Sequence, residues 1–376
     1  MDFPSNLMRK LELRRENESL RSLPSQNTMI DFSSNDYLGF AQDQELFDKV
    51  HEELEIYAPR IGSTGSRLLS GNFELHEALE VQIANFFKAE SALLFNSGYD
   101  ANVGLLSSVP QRGDLIFYDE TSHASIRDGI RLSNAKSLKF KHNDLDELRI
   151  KLENAGQAVQ RYVVVESIYS MDGDVAPLEE LASMATTYNF KLIIDEAHST
   201  GVYGSKGDGM VNELNLTASV FARIYTFGKA AGCHGAAVVG SPLLKQYLVN
   251  FARSFIYTTA MPPHSVLAIK NSLLLLESTQ NRTKLQENIE LFKKTSDKLG
   301  LDAIFIKSDS AIQCAIISSN AKVKKISLQL NAHNFDVKPI ISPTVPIGEE
   351  RIRFCIHSYN TSADIKEILF LLSTFV

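Results

Sequence analysis

The chain has 376 residues, 44% hydrophobic and 22% charged, and 38 Lys+Arg against 45 Asp+Glu leave a formal charge of −7. That length suggests two or three lobes and a core needing no disulfide or metal staple, and the apolar fraction excludes a disordered chain. An acidic average with no basic block argues against sequence-independent nucleic-acid binding, which rests on phosphate neutralisation, but leaves room for a locally held anion.

In chain order, residues 8–21 come first, basic and helical in pattern. Glu12, Glu16 and Glu18 interrupt them, and transit peptides are acid-poor, so a surface helix is expected. Strands are expected at 92–95, 114–119, 136–141, 162–167, 191–197, 223–228 and 236–240. Several of these are continuously apolar, as strands covered on both faces are. Helical patterns at 76–88, 144–154 and 178–188 lie between them at βαβ spacing. The fold class is therefore α/β, a large domain built on a mainly parallel seven-stranded sheet. After Met261-Pro262-Pro263 a long helical region runs to about residue 299. Strands at 311–318 and 351–357 with further helices then indicate a small α+β C-terminal domain. The expected division is an arm at 1–40, a large domain at 41–260 and a small one at 261–376.

Cys233, Cys314 and Cys355 are odd in number and lack CxxC spacing, which suits a reducing cytoplasm. The longest apolar runs, 273–276 and 368–372, are far too short to span a bilayer.

Some suggestive strings lead nowhere. Asp195-Glu196-Ala197-His198 spells a helicase box, yet no GxxxxGK[ST] phosphate loop exists in the chain. His51-Glu52 and His76-Glu77 lack the second histidine of HExxH. GxSxG, GxGxxG after a strand and zinc-ligand spacings are all missing, so no metal is expected.

One constellation survives. A strand runs into Asp195 and His198, and a later strand runs into Thr226-Phe227-Gly228-Lys229. Ligands of open α/β sheets bind beyond the carboxyl ends of strands, so an acid and a lysine there can face one another across a cofactor. Pyridoxal phosphate needs this pair, a lysine for its aldehyde carbon and an aspartate for its ring nitrogen. Asn96-Ser97-Gly98-Tyr99-Asp100-Ala101-Asn102 follows a strand and opens a helix, a cradle for the phosphate. Taken singly, each feature has an ordinary reading: a strand-end cap, a solvated lysine, a turn, or a capping histidine at His123. Their joint occurrence, in order and at strand ends, carries the argument.

The chain resembles the α-oxoamine synthases, a family of fold-type I pyridoxal-phosphate enzymes. The resemblance rests on Asp31-Phe32-Ser33-Ser34-Asn35-Asp36-Tyr37-Leu38-Gly39, Ser122-His123-Ala124-Ser125, Ser170-Met171-Asp172-Gly173-Asp174, Asp195-Glu196-Ala197-His198 and Thr226-Phe227-Gly228-Lys229. Tyr257-Thr258-Thr259-Ala260-Met261-Pro262-Pro263 and Pro343-Thr344-Val345-Pro346 are most similar to the biotin-pathway branch. Branches that acylate glycine or serine usually differ there and remain the alternatives.

The resemblance implies that Lys229 bonds the cofactor and acts as base on the substrate α-carbon. It implies Asp195 on the ring nitrogen, His198 on the ring hydroxyl and His123 over the ring face. It also implies Gly98, Tyr99, Ser170 and Thr226 at the phosphate or cofactor edge, with Glu166 behind them. Thr258 or Thr259 would reach the neighbouring subunit's phosphate in a homodimer with shared sites. Arg353 would grip the amino-acid carboxylate with Asn35 assisting, and Arg21 and Thr344 match substrate-contact positions. The implied partners are L-alanine and a pimeloyl thioester on coenzyme A or an acyl carrier protein. A cofactor-binding protein without turnover is disfavoured, because Lys229, Asp195 and Arg353 are all present. Ile341 stands where the branch commonly has a basic residue, with Lys338 nearby, and Thr64 stands where glycine is frequent, with a small local change expected.

Overall fold

The computed structural model describes residues 3–23, 28–57, 60–156 and 158–376. They form two compact units. The larger comprises Asn35–Ser170 and Val175–Arg282, and the other Met1–Ser34, Met171–Asp174 and Thr283–Val376. The strands, in chain order, are β1 (Ile30–Asp31), β2 (Ser91–Phe95), β3 (Leu115–Asp119), β4 (Lys136–Phe140), β5 (Arg161–Glu166) and β6 (Lys191–Asp195). They continue with β7 (Ala222–Thr226), β8 (Ala236–Gly240), β9 (Ile312–Ile316), β10 (Phe335–Asp336), β11 (Lys338–Ile340) and β12 (Arg351–Cys355).

The larger unit holds a seven-stranded sheet in the order β2-β8-β7-β6-β5-β3-β4. Only β8 runs antiparallel to its neighbours. Alternate residues of one strand enter different cores. Val164 and Ile193 pack with Leu105, Ile126 and Phe255 on one face, and Val163, Leu192 and Ile194 with Leu148, Leu181 and Phe190 on the other. Both faces are buried, which is why these strands read as unbroken apolar runs.

Helix Pro263–Ser278 packs against helices Gln44–Tyr57 and Glu74–Phe86 and belongs to this same unit. The proline pair therefore opens a helix of the larger unit, with Pro263 at its first turn, where a missing N–H costs nothing. The expected long helical region is two helices, Pro263–Ser278 and Asn281–Lys298. Thr279 is extended, and its Oγ1 accepts the Asn281 N–H at 3.1 Å to start the second helix. Thr64 adopts φ 57°, the left-handed conformation that glycine enters freely.

In the other unit β12 lies between β11 and β9, both antiparallel to it, and Phe292, Phe305 and Phe354 pack together. The N-terminal helix is Ser5–Glu16, with no buried residue, and the chain turns out of it at Glu18 (φ 51°). All three cysteines are free thiols. Among the described residues no helix is long and apolar enough to cross a membrane.

Candidate active site

The parallel strands β5, β6 and β7 present their carboxyl ends on one side of the sheet. Glu166, Asp195 and Thr226 are their last residues. With Gly98, His123, His198 and Lys229 they line a cavity of about 240 Å³. A larger cavity of about 570 Å³, lined by Tyr57, Phe73, Leu79 and Val266, is mainly apolar. Size is a weaker guide than converging titratable groups, so the smaller cavity is the candidate site.

Asp195 is buried, and its carboxylate accepts the Ala197 N–H at 2.9 Å and the Asn102 amide at 2.7 Å. Among the described residues no cation lies within ion-pair distance of it. A carboxylate held in this way, at a cavity wall, suits a protonated ring nitrogen.

Across the cavity Lys229 Nζ donates to His198 Nε2 at 2.7 Å, and the other ring nitrogen, Nδ1, lies 2.7 Å from the Tyr37 hydroxyl. Tyr37 in turn donates to Asn35 Oδ1 at 3.1 Å. His123 caps helix Ala124–Leu132, and its backbone N–H donates to Glu166 at 2.6 Å. Burial lowers the His123 pKa and the Lys229 cation lowers it further, against the pull of Asp195. Burial and the neighbouring Asp195 charge push Glu166 up to about 8.

At the far wall Ser97 caps helix Gly98–Ser108, and its Oγ accepts the Asp100 N–H at 3.1 Å. A Cβ on Gly98 would lie 2.5 Å from the Thr226 methyl, so only glycine admits this close approach. Thr226 Oγ1 is buried with no partner among the described residues. A helix N-terminus and an unpaired buried hydroxyl at one wall suit a phosphate. Pyridoxal phosphate therefore fits this residue set at both ends, ring nitrogen and phosphate.

Of the expected residues, Gly98, Tyr99, His123, Glu166, Asp195, His198, Thr226 and Lys229 come together at this cavity. Ser170 is buried but does not line it. Thr258 Oγ1 and the Thr259 carbonyl both accept from the Asn96 amide, at 3.1 and 2.9 Å, away from the cavity lining. In the other unit Arg21 donates to Thr344 Oγ1 at 3.3 Å, which joins two expected substrate contacts. Arg353 lies on β12 in register with Lys338, whose ammonium is paired with Asp336. Tyr37, Asn102 and Ser125 stand in the motif strings but carry no role in the sequence reading. Asn102 follows Gly98 by one helical turn, and that spacing is the signal that marks it.

The family described as aminotransferase class I and II matches residues 27–370. The chain belongs to it. Within this family, the 8-amino-7-oxononanoate synthase of Emericella nidulans is 39% identical over 98% of this chain and 95% of its own. The putative 8-amino-7-oxononanoate synthase of Halalkalibacterium halodurans is 40% identical over 90% of this chain and 84% of its own. Among solved structures, a serine palmitoyltransferase from S. paucimobilis bound to pyridoxal phosphate and myriocin has TM-score 0.91 at 25% identity, covering 100% of this chain and 98% of that one. The 8-amino-7-oxononanoate synthase of Francisella tularensis has TM-score 0.79 at 30% identity, covering 93% and 98%. These relatives bear out the α-oxoamine synthase resemblance and the fold-type I architecture.

Proposed function

We propose that this aminotransferase-family chain binds pyridoxal phosphate and joins L-alanine to a pimeloyl thioester, forming 8-amino-7-oxononanoate, CO2 and the free thiol. The convergence of Lys229, His198, Asp195 and His123 on one cavity carries this reading. Bound pyridoxal phosphate supplies an aldehyde carbon for the amine and a protonated ring that takes up the electron pair of the α-carbon.

Lys229 Nζ would hold the cofactor's aldehyde carbon and, as a free amine, would serve as the base for the substrate α-proton. His198 Nε2, which accepts from Lys229 Nζ at 2.7 Å, would hydrogen-bond the ring hydroxyl of the bound cofactor. Asp195 keeps the proton on the ring nitrogen, and His123 covers the ring face. The N–H groups of Gly98 and Tyr99 bind the phosphate, with the Thr226 hydroxyl beside them. Glu166 holds the His123 backbone in place. Arg353, assisted by Asn35, grips the amino-acid carboxylate, a task suited to a planar guanidinium. Arg21, Thr344 and Ser170 complete the substrate and cofactor contacts. The C–C bond forms at the thioester carbonyl, the thiol leaves, and the carboxylate departs as CO2.

The quaternary part of the proposal is a homodimer in which Thr258 or Thr259 serves the partner's phosphate, in the cytoplasm, where three free thiols persist. Coenzyme A or an acyl carrier protein presents the acyl group. The higher TM-score to serine palmitoyltransferase favours a second reading, acylation of serine. Identity near 40% to 8-amino-7-oxononanoate synthases outweighs it, because one fold hosts many substrates. The test is an assay of alanine, glycine and serine, each with pimeloyl and long-chain thioesters, read by product mass. Product from alanine and the pimeloyl donor is expected; product from serine or glycine alone would overturn the assignment.

A further inference from the structure

Asp195 and His123 reach the cavity from different elements, and side chains from the helices Gly98–Ser108 and Ala124–Leu132 join them. Asn102 is buried, and its amide nitrogen lies 2.7 Å from Asp195 Oδ2 and 3.1 Å from Ser125 Oγ. Ser125 Oγ lies 2.7 Å from His123 Nδ1, and that nitrogen also accepts the Ser125 N–H at 3.2 Å.

Counting donors fixes the direction of every bond. The amide has two hydrogens for its two acceptors, Asp195 and Ser125. The Ser125 hydroxyl, receiving one of them, gives its own hydrogen to His123 Nδ1. With Nδ1 accepting twice, the proton of neutral His123 sits on Nε2. Reversing the amide would set its carbonyl against the Asp195 carboxylate. The amide therefore keeps this orientation although its carbonyl oxygen is buried and has no partner among the described residues.

We propose that Asn102 and Ser125 are a positioning pair for this reaction: they hold Asp195 as an aimed anion and His123 as its Nε2–H tautomer, and couple the two. This rests on the cofactor reading above. A substitution at either residue is then felt at the end of the chain it does not touch. A merely structural role would leave that far end unmoved.

The test uses the full-length holoenzyme and its Asn102→Ala and Ser125→Ala variants, with two readouts besides turnover. The first is a pH titration of the visible absorption band of bound pyridoxal phosphate. The second is 15N NMR of labelled histidine, with His123 assigned by substitution. Asn102→Ala is expected to move the band's midpoint by about one pH unit, a tenfold change in proton affinity. It is also expected to turn the His123 signals into a tautomer mixture. Ser125→Ala is expected to move the band by a smaller amount although it never touches Asp195. If each substitution disturbs only its own neighbour, or neither disturbs anything, the proposal is wrong. Should Asn102→Ala fail to fold, the effect of Ser125→Ala on the band decides alone. A wild-type protein showing no visible band with added pyridoxal phosphate would overturn the cofactor reading as well. A wild-type band with unmoved variants overturns only the positioning pair.

Discussion

Lys229 Nζ stands 2.7 Å from His198 Nε2, and the opposite nitrogen of that ring stands 2.7 Å from the Tyr37 hydroxyl. Tyr37 spends its hydrogen on Asn35, so His198 Nδ1 donates to the tyrosine oxygen and Nε2 is left to accept from the lysine. Borohydride treatment of the holoenzyme should fix the cofactor to the peptide containing Lys229, read by mass. Lys229→Ala should lose that adduct and lower turnover by about 10²–10⁴-fold or more. An adduct on another lysine removes Lys229 from its place.

Asp195→Asn keeps the shape, deletes the buried charge and leaves one acceptor oxygen where the Asn102 amide and the Ala197 N–H now each have their own. Turnover should fall by about 10²–10³-fold, the scale of losing one preorganised electrostatic contact. Cofactor binding should persist in part, followed by absorbance. Unchanged turnover would show that this carboxylate does not hold the ring proton.

Glu166 is an acid whose folded pKa is raised to about 8 from an ordinary 4.5, by burial and then by Asp195. The folded chain therefore binds more protons than the unfolded one between these values. The Glu166 contribution to stability is fully present below about 4.5 and is lost as pH rises toward about 8. Glu166→Gln retains an oxygen for the His123 N–H and cannot ionise. Its melting temperature relative to the wild type should climb steadily from pH 5 to about 8, the alkaline end of that interval. A constant difference across the range would refute the buried titration.

Thr64 is β-branched yet holds φ 57°. A left-handed conformation costs such a residue about 1–2 kcal/mol, against which glycine loses part through its unfolded-state entropy. Thr64→Gly should stabilise the chain by about 0.5–1 kcal/mol, read by denaturant midpoint. A loss of stability would mean that the threonine side chain contributes more than its backbone costs.

Arg353→Lys keeps the charge but removes the planar fork. The KM for the amino acid should rise about 10–100-fold with a smaller change in kcat. An unchanged KM would place the carboxylate elsewhere.

Local chemistry was sufficient for much of this protein. Unbroken apolar strands meant a mainly parallel sheet covered on both faces, and in parallel strands the last residues, Asp195 and Thr226, share one edge. Lys229, three residues beyond β7, followed them there. What the sequence could not settle depends on contacts between residues far apart in the chain. Tyr37 meets His198 across 161 positions and Asn102 meets Asp195 across 93, and no periodicity encodes such a pair. The break at Thr279 was hidden for a related reason. Apolar residues lie at helical spacing on both sides of it, and only the extended Thr279 and its bond to the Asn281 N–H show where one helix gives way to the next. The charged and tautomeric states of the site belong to the tertiary structure too, because burial and the partners at each atom set them, and composition averages both away.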